Sequence, residues 1–381
     1  MDIHQRVFFE LLRAGLWKKE VRLSPYKDID FSEVYRIAEE QSVIGLVAAG
    51  LEHVSDVKVP QQWALHFAGQ IIQLEQRNKA MNVFIANLIE KLRDEDIYTL
   101  LVKGQGIAQC YENPLWRACG DVDLYLSIDN YEKSKKLLLP IATNIEKEEK
   151  KRLHLGMTVD GWVVELHGTM HTKLSRRMNR VADDVHRDLF FNGNVRCWND
   201  SGVKVFLPSV NNDVIIIFNH IINHFYLEGV GLRQICDWCR LLWTYKESLD
   251  YGLLKTRIRK AGIMTEWKAF GAFAVEYLGM PVEAMPFLNV KDQMDDGRCM
   301  VDKRLKRKAD RIMALVIESG NFGQNRDVSY KQKYPFVIRY AMSSCLYTKL
   351  ALQRFTISPR NTIMAWWAIV KMGANAAAKA I

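Results

Sequence analysis

Apolar positions recur at helical spacing through the first 97 residues. Val7, Phe8, Phe9, Leu11, Leu12 and Leu16, then Val34, Ile37 and Ala38, then Val43, Leu46, Val47 and Leu51 each predict a helix with one buried face. Pro60 opens a longer pattern through Trp63, Phe67, Ile71, Met81, Phe84, Leu88 and Leu92, and proline suits a helix start. The period then changes. Leu100, Leu101 and Val102 form a short apolar run that stops at Lys103-Gly104-Gln105-Gly106, as a buried strand entering a tight turn does. Gly120 precedes Asp121-Val122-Asp123-Leu124-Tyr125-Leu126, a strictly alternating strand with Asp121 and Asp123 on one face and Val122, Leu124 and Leu126 on the other. Asp129 is a candidate cap for a helix through Leu139, which Pro140 ends.

Further on, Asp160-Gly161 lies between two strand-like runs and predicts a two-residue hairpin turn, since both central positions need positive φ. On the return strand Val163, Glu165 and His167 share one face, with Val164 and Leu166 on the other. Residues 203–279 read as helical: Pro208-Ser209 leads into Val214 to Phe225, Gly229 and Gly231 interrupt, and Leu232 to Trp243 follows. Asp292 to Ser319 reads as one long helix ending at Gly320, with Lys303 to Lys308 as a solvated basic face.

Composition adds class. The chain has 381 residues, 49% hydrophobic and 25% charged, and is long enough for two or three packed units. Its longest apolar run near the C-terminus, Ile363 to Val370, is well short of the roughly 20 residues a membrane span needs, and the start lacks a secretory pattern, so a cytoplasmic protein is expected. Seven scattered cysteines do not suggest a disulfide framework. Of the net charge of +9, the last 56 residues carry +8, with nine Lys and Arg against a single acid, Asp327. Interleaved with Phe336, Tyr340, Leu350, Phe355, Trp366 and Trp367, this charge fits helices packed on the body with basic outer faces, a nucleic-acid contact, or peripheral docking on an anionic membrane.

The chemistry centres on the acids. Two carboxylates side by side repel unless a cation lies between them, and hard divalent ions take carboxylate and phosphate oxygens; a solvated strand edge is the alternative. Glu165, set into an apolar strand, either faces water or joins Asp121 and Asp123 at a shared metal site. His220 and His224 lie one helical turn apart, as do Cys236 and Cys239, and a structural zinc site is a rival use for these four.

Lys103-Gly104, Arg117, Gly120-Asp121-Val122-Asp123-Leu124 and Val164-Glu165-Leu166-His167 resemble the motifs of the uncharacterised nucleotidyltransferase family within the DNA polymerase β-like superfamily. The resemblance is close over residues 98–170, and His220-x3-His224, Gly231-Leu232-Arg233 and Asp237 resemble a later family segment, as if those helices formed the other wall of a cleft. Many superfamily members carry Gly-Gly or Gly-Ser nearer the aspartates, whereas Lys103-Gly104 lies further upstream. The resemblance implies an α+β fold: a small mixed sheet of polymerase β-like type flanked by helices, with helical N-terminal and C-terminal regions. Units are expected at 1–97, 98–202, 203–325 and 326–381.

It further implies transfer of a nucleoside monophosphate from an NTP to an unidentified hydroxyl acceptor, tRNA being one anionic option. Asp121, Asp123 and Glu165 would hold two Mg²⁺ ions, or Mn²⁺ in their place. Lys103, Gly104, Arg117, Gly120, His167 and Arg233 would contact the nucleotide. The alternative is a catalytically silent member of the fold, acting as a basic scaffold for RNA, a membrane surface or a protein partner.

Overall fold

The computed structural model describes every residue except 201, 289, 294–298, 326–332 and 379–381. Four helices open the chain: α1 (Ile3–Trp17), α2 (Phe31–Glu40), α3 (Ile44–Leu51) and α4 (Gln61–Asp94). Asp2 and Asp30 cap α1 and α2 by accepting from Gln5 N and Ser32 N, and Pro60 stands before α4 as expected. Strand β1 (Thr99–Val102) and the short helix α5 (Gly104–Ala108) lead to β2 (Asp121–Leu126). Helix α6 (Ile128–Leu138) is capped by Ser127, which accepts from Asn130 N; Asp129 therefore lies inside its first turn, where an acid favours the helix dipole, and is not the cap.

Strands β3 (His154–Val159) and β4 (Trp162–His167) close the hairpin on Asp160 and Gly161, whose φ values of 48° and 82° are those its turn requires. The sheet order is β1-β2-β4-β3, with β2 and β4 parallel and the other pairs antiparallel. One face buries Val122, Leu124, Leu126, Val164 and Leu166 against the second half of α4 and against α6. The other face buries Leu100, Val102 and Tyr125 with the larger helical core.

After helix α7 (Arg176–Phe190) comes a second hairpin, β5 (Val195–Asp200) and β6 (Val203–Pro208). Residues 203–208 are thus strand, not helix: Val205 and Leu207 are buried with the sheet's core and Lys204 points out, a period of two that the following helix obscures. Helices α8 (Val210–Leu227), α9 (Leu232–Thr244), α10 (Tyr251–Ala261) and α11 (Met264–Leu278) form the helical body. The span from Asp292 is not one helix. Strands β7 (Val290–Gln293) and β8 (Cys299–Val301) pair there, and α12 (Lys303–Ser319) starts only where Asp302 accepts from Arg304 N. Residues 294–298 of that expectation lie outside the described residues.

The chain ends in α13 (Phe336–Phe355) and α14 (Pro359–Ala378). Their junction is docked on the body: Arg354 Nη1 donates to Tyr226 O at 3.0 Å, Asn361 Nδ2 to Glu266 Oε1 at 2.6 Å, and Lys308 Nζ to Ile357 O at 2.7 Å. The expected opening of this basic region at 326–332, and the side chains of Phe336 and Tyr340, lie outside the described residues. No helix among the described residues is long and apolar enough to cross a membrane.

Candidate active site

The parallel pairing of β2 and β4 makes Asp123 and Glu165 direct neighbours across the ladder, with Asp121 two positions earlier on the same face. The antiparallel β3–β4 register then places His154 opposite His167. Five chemically active side chains therefore share one sheet face. They line a cleft of about 420 Å³ whose far wall is built by α8 and α9.

Lys103 holds the centre. It directly follows β1 with φ 57° and ψ −146°, a strained conformation for a residue with a side chain, and its Nζ donates to Asp123 Oδ1 at 2.6 Å. Gly104 follows at φ 41°, where a Cβ would come within 3.2 Å of Cys119 Sγ. His167 Nε2 bonds the same Asp123 oxygen at 2.7 Å and approaches Glu165 Oε2 at 3.4 Å, while His154 Nε2 approaches Glu165 Oε2 at 3.2 Å. Gly120 has open space where a Cβ would stand, so the backbone before Asp121 is accessible.

Electrostatics separate the three acids. The charge of Asp123, with burial adding to it, pushes the Asp121 carboxyl above its ordinary range although Lys103 pulls it back. Burial also works against ionisation of Glu165, but hydrogen bonds from His154 and His167 and the charge of Lys103 outweigh it and hold that carboxyl far below the usual range. Burial disfavours protonated His167 and Lys103, yet the neighbouring carboxylates raise both above their ordinary values. The site is thus a charged lattice with Asp121 as the acid that gains most from an added cation. Among the described residues no side-chain hydrogen bond or ion pair reaches it.

Asp121, Asp123 and Glu165 stand on adjoining strands and one sheet face, and carboxylate oxygens are the donors a hard divalent ion takes. His154, Glu165 and His167 form a second candidate set, with ligand atoms within 4.8 Å of one another. No other group of three, the three carboxylates included, brings its ligand atoms this close together among the described residues. His220, His224, Cys236 and Cys239 do not converge as a zinc site: Cys236 and Cys239 sit in the helical core, where burial pushes both thiols up, whereas His220 and His224 face the cleft.

The far wall carries Arg233, from the start of α9, and the pair Arg117–Asp237. Arg117 does not hang free in the cleft. Its Nε and Nη2 donate to the two oxygens of Asp237 at 3.0 and 2.6 Å, and Tyr111 OH donates to Asp237 Oδ1 at 2.8 Å. This buried fork ties the loop before β2 to α9. Arg233 Nη1 donates to Ala118 O at 3.0 Å, and its Nε is buried with no hydrogen-bond partner.

The family model for uncharacterised nucleotidyltransferases matches residues 27–279 of the chain. The chain belongs to that family. The match takes in the whole sheet, helices α8 and α9, and every expected site residue from Lys103 to Arg233, so the family region holds the cleft's lining apart from Phe322. No curated protein sequence matches the chain. Among solved structures, the chain is similar to an antigenic nucleotidyltransferase-like protein from Paracoccidioides brasiliensis, at 15% identity and a TM-score of 0.30, over 53% of this chain and 93% of that one.

Sequence reasoning missed His154. The signal was present: a two-residue turn at Asp160-Gly161 pairs Val159 with Trp162, and counting outward along both strands reaches His154 and His167.

Proposed function

We propose that the protein is a Mg²⁺-dependent nucleotidyltransferase that moves a nucleoside monophosphate from an NTP to a hydroxyl acceptor and releases pyrophosphate. The observation that carries this reading is the pairing of Asp123 with Glu165 across parallel strands, beside Asp121, in a cleft whose walls also present Lys103, Arg152, Lys173 and Arg233. Asp121, Asp123 and Glu165 would hold the metal, with Mn²⁺ able to replace Mg²⁺; when bound, the ions neutralise phosphate charge in an in-line displacement.

The chain's own groups have distinct parts. Lys103 and Arg233 bring positive charge to the triphosphate, Gly104 lines the cleft beside Lys103, and the open backbone at Gly120 lets the phosphates approach. Arg117, committed to Asp237, positions the loop that carries Gly120 and Asp121. Glu165, kept ionised by His154 and His167, is suited to hold the metal and to accept a hydrogen bond that orients the acceptor hydroxyl, whose proton passes to solvent as its oxygen bonds to the α-phosphorus and the bond to the β-phosphate oxygen breaks. Pyrophosphate leaves with that electron pair. The acceptor is an anionic molecule in this reading, RNA such as tRNA being the first to try, because the C-terminal helices carry basic charge without a single acid.

One observation favours a second reading, a catalytically silent scaffold: Asp123 Oδ1 is already bonded by both Lys103 and His167. Calorimetric titration with each NTP, with and without Mg²⁺, separates the two. Magnesium-dependent binding that Asp121→Asn loses supports the transferase; absence of NTP binding by the wild type sinks it.

A further inference from the structure

Beyond the matched family region, Phe322 is the one described residue that lines the cleft. The turn Gly320-Asn321-Phe322-Gly323, directly after α12, places the Phe322 ring on the cleft wall opposite the sheet. That ring stays 40% exposed, and it is bracketed by His224, 4.8 Å away between centroids, and by the Arg233 guanidinium at 5.8 Å.

The turn is built to hold it there. Phe322 has φ 51° and ψ 25°, a left-handed conformation that glycine adopts without strain and an aromatic residue rarely does. Asn321, itself buried, locks the turn: its Nδ2 donates to Ser42 Oγ at 2.8 Å, and its Oδ1 accepts from Gln234 Nε2 at 2.9 Å. The α8–α9 loop closes on it so tightly that a Cβ on Gly229 would lie 3.0 Å from Gly323 N, and one on Gly231 2.7 Å from Asn321 Oδ1. A strained backbone, braced from two sides, thus presents an aromatic face to a charged cleft and away from any core.

We propose that Phe322 is the stacking platform for the nucleobase of the bound NTP. Resting on the nucleotidyltransferase reading, this gives the cleft two ends: the carboxylates and Lys103 at the triphosphate, and Phe322 at the base. Arg233 lies between them on the cleft wall, its Nη1 on Ala118 O. His220 and His224, with ring centroids 4.3 Å apart, continue the aromatic wall from Phe322 toward Lys103. A π-face accepts every base, so the platform sets affinity for nucleotide over bare phosphate more than choice among bases.

The test is calorimetric titration of the wild type, Phe322→Ala, Phe322→Gly and Phe322→Trp with each NTP and with inorganic tripolyphosphate, all with Mg²⁺. Loss of the ring should weaken NTP binding about tenfold or more and leave tripolyphosphate binding unchanged. Phe322→Trp should restore NTP affinity, with quenching of the new indole fluorescence as base is added. Phe322→Gly should melt no lower than Phe322→Ala, because it accepts the positive φ; that result separates a binding role from a folding one. Unchanged NTP affinity in Phe322→Ala, beside normal binding by the wild type, overturns the platform and leaves the transferase reading standing. Equal wild-type affinity for NTP and tripolyphosphate overturns it too. A wild type that binds neither removes the transferase reading and the platform with it.

Discussion

Lys103 and His167 converge on a single oxygen, Asp123 Oδ1, from opposite sides of the sheet order: one directly follows β1, the other ends β4, and β2 runs between them. Asp123 is 2% exposed, so water screens its charge little and these two neighbours are its direct partners. Asp121, on the same strand face, has no side-chain hydrogen bond or ion pair among the described residues, and the charge of Asp123 outweighs the pull of Lys103 on it. The two aspartates should therefore respond differently to substitution, though sequence alone makes them look equivalent.

Asp123→Ala leaves a buried Lys103 and His167 facing each other without their carboxylate, which typically costs about 3–5 kcal/mol. Asp121→Asn removes like-charge repulsion and should leave stability in metal-free buffer unchanged or slightly higher. Urea unfolding of both variants checks this. With Mg²⁺ added, the wild type should gain stability by mass action and Asp121→Asn should not. Equal stability losses in the two variants would contradict the asymmetry.

Arg117 gives a prediction that distinguishes support from ligand contact. Removing it strands Asp237 in the interior, so Arg117→Ala should lose about 3–5 kcal/mol of stability. Arg117→Lys should recover little of that, because a single ammonium cannot reproduce the two-pronged contact with Asp237. Tyr111→Phe, which removes one hydrogen bond to Asp237, should cost about 1 kcal/mol. Denaturant midpoints order the three; a fully stable Arg117→Ala would return Arg117 to a direct phosphate role.

The sheet that carries the acids is legible in the sequence because its signals are local. Alternation puts Asp121 with Asp123 and Glu165 with His167, and the Asp160-Gly161 turn sets the hairpin register. What stays hidden depends on distance along the chain. The Arg117–Asp237 fork joins residues 120 apart, and nothing in either neighbourhood specifies the other. Residues 203–208 merge into a helical reading because β6 runs within two residues of α8, so strand and helix patterns abut. Lys303 to Arg307 hide a helix start, since Asp302 follows a strand of only three residues. Phe322 has the local sequence of a loop, and its place in the site is visible only once φ and the cleft are known.

His154 tests the second donor set. Two imidazoles and a carboxylate suit Mn²⁺ better than Mg²⁺, which prefers oxygen throughout. His154→Ala should weaken Mn²⁺ binding about tenfold to a hundredfold and change Mg²⁺ binding much less. Mn²⁺ electron paramagnetic resonance titration, with Mg²⁺ as competitor, reads both affinities in one experiment. Equal weakening for the two ions would mean that His154 acts only by fixing Glu165.

Stability should also depend on pH through a histidine remote from the acids. His186 on α7 lies 4.7 Å from the Phe190 ring, its Nδ1 hydrogen-bonds Tyr125 OH at 2.9 Å, and burial lowers its pKa despite the nearby charge of Asp183. A histidine whose folded pKa lies below its unfolded value of roughly 6.5 is neutral in both states at higher pH and contributes no slope there. Below that value the unfolded chain binds the proton first, so stability is lost as pH falls toward the folded pKa. His220 is depressed by burial in the same direction, while His167 is raised and opposes both. The total slope therefore mixes signs, and the clean quantity is the difference between the wild type and His186→Gln, which keeps a hydrogen-bonding partner for Tyr125 without a titrating ring. Urea midpoints at pH 7.5, 6.5 and 5.5 should show the wild type losing ground to the variant only across the two lower values. A constant difference across all three would mean that His186 titrates alike in the folded and unfolded chain.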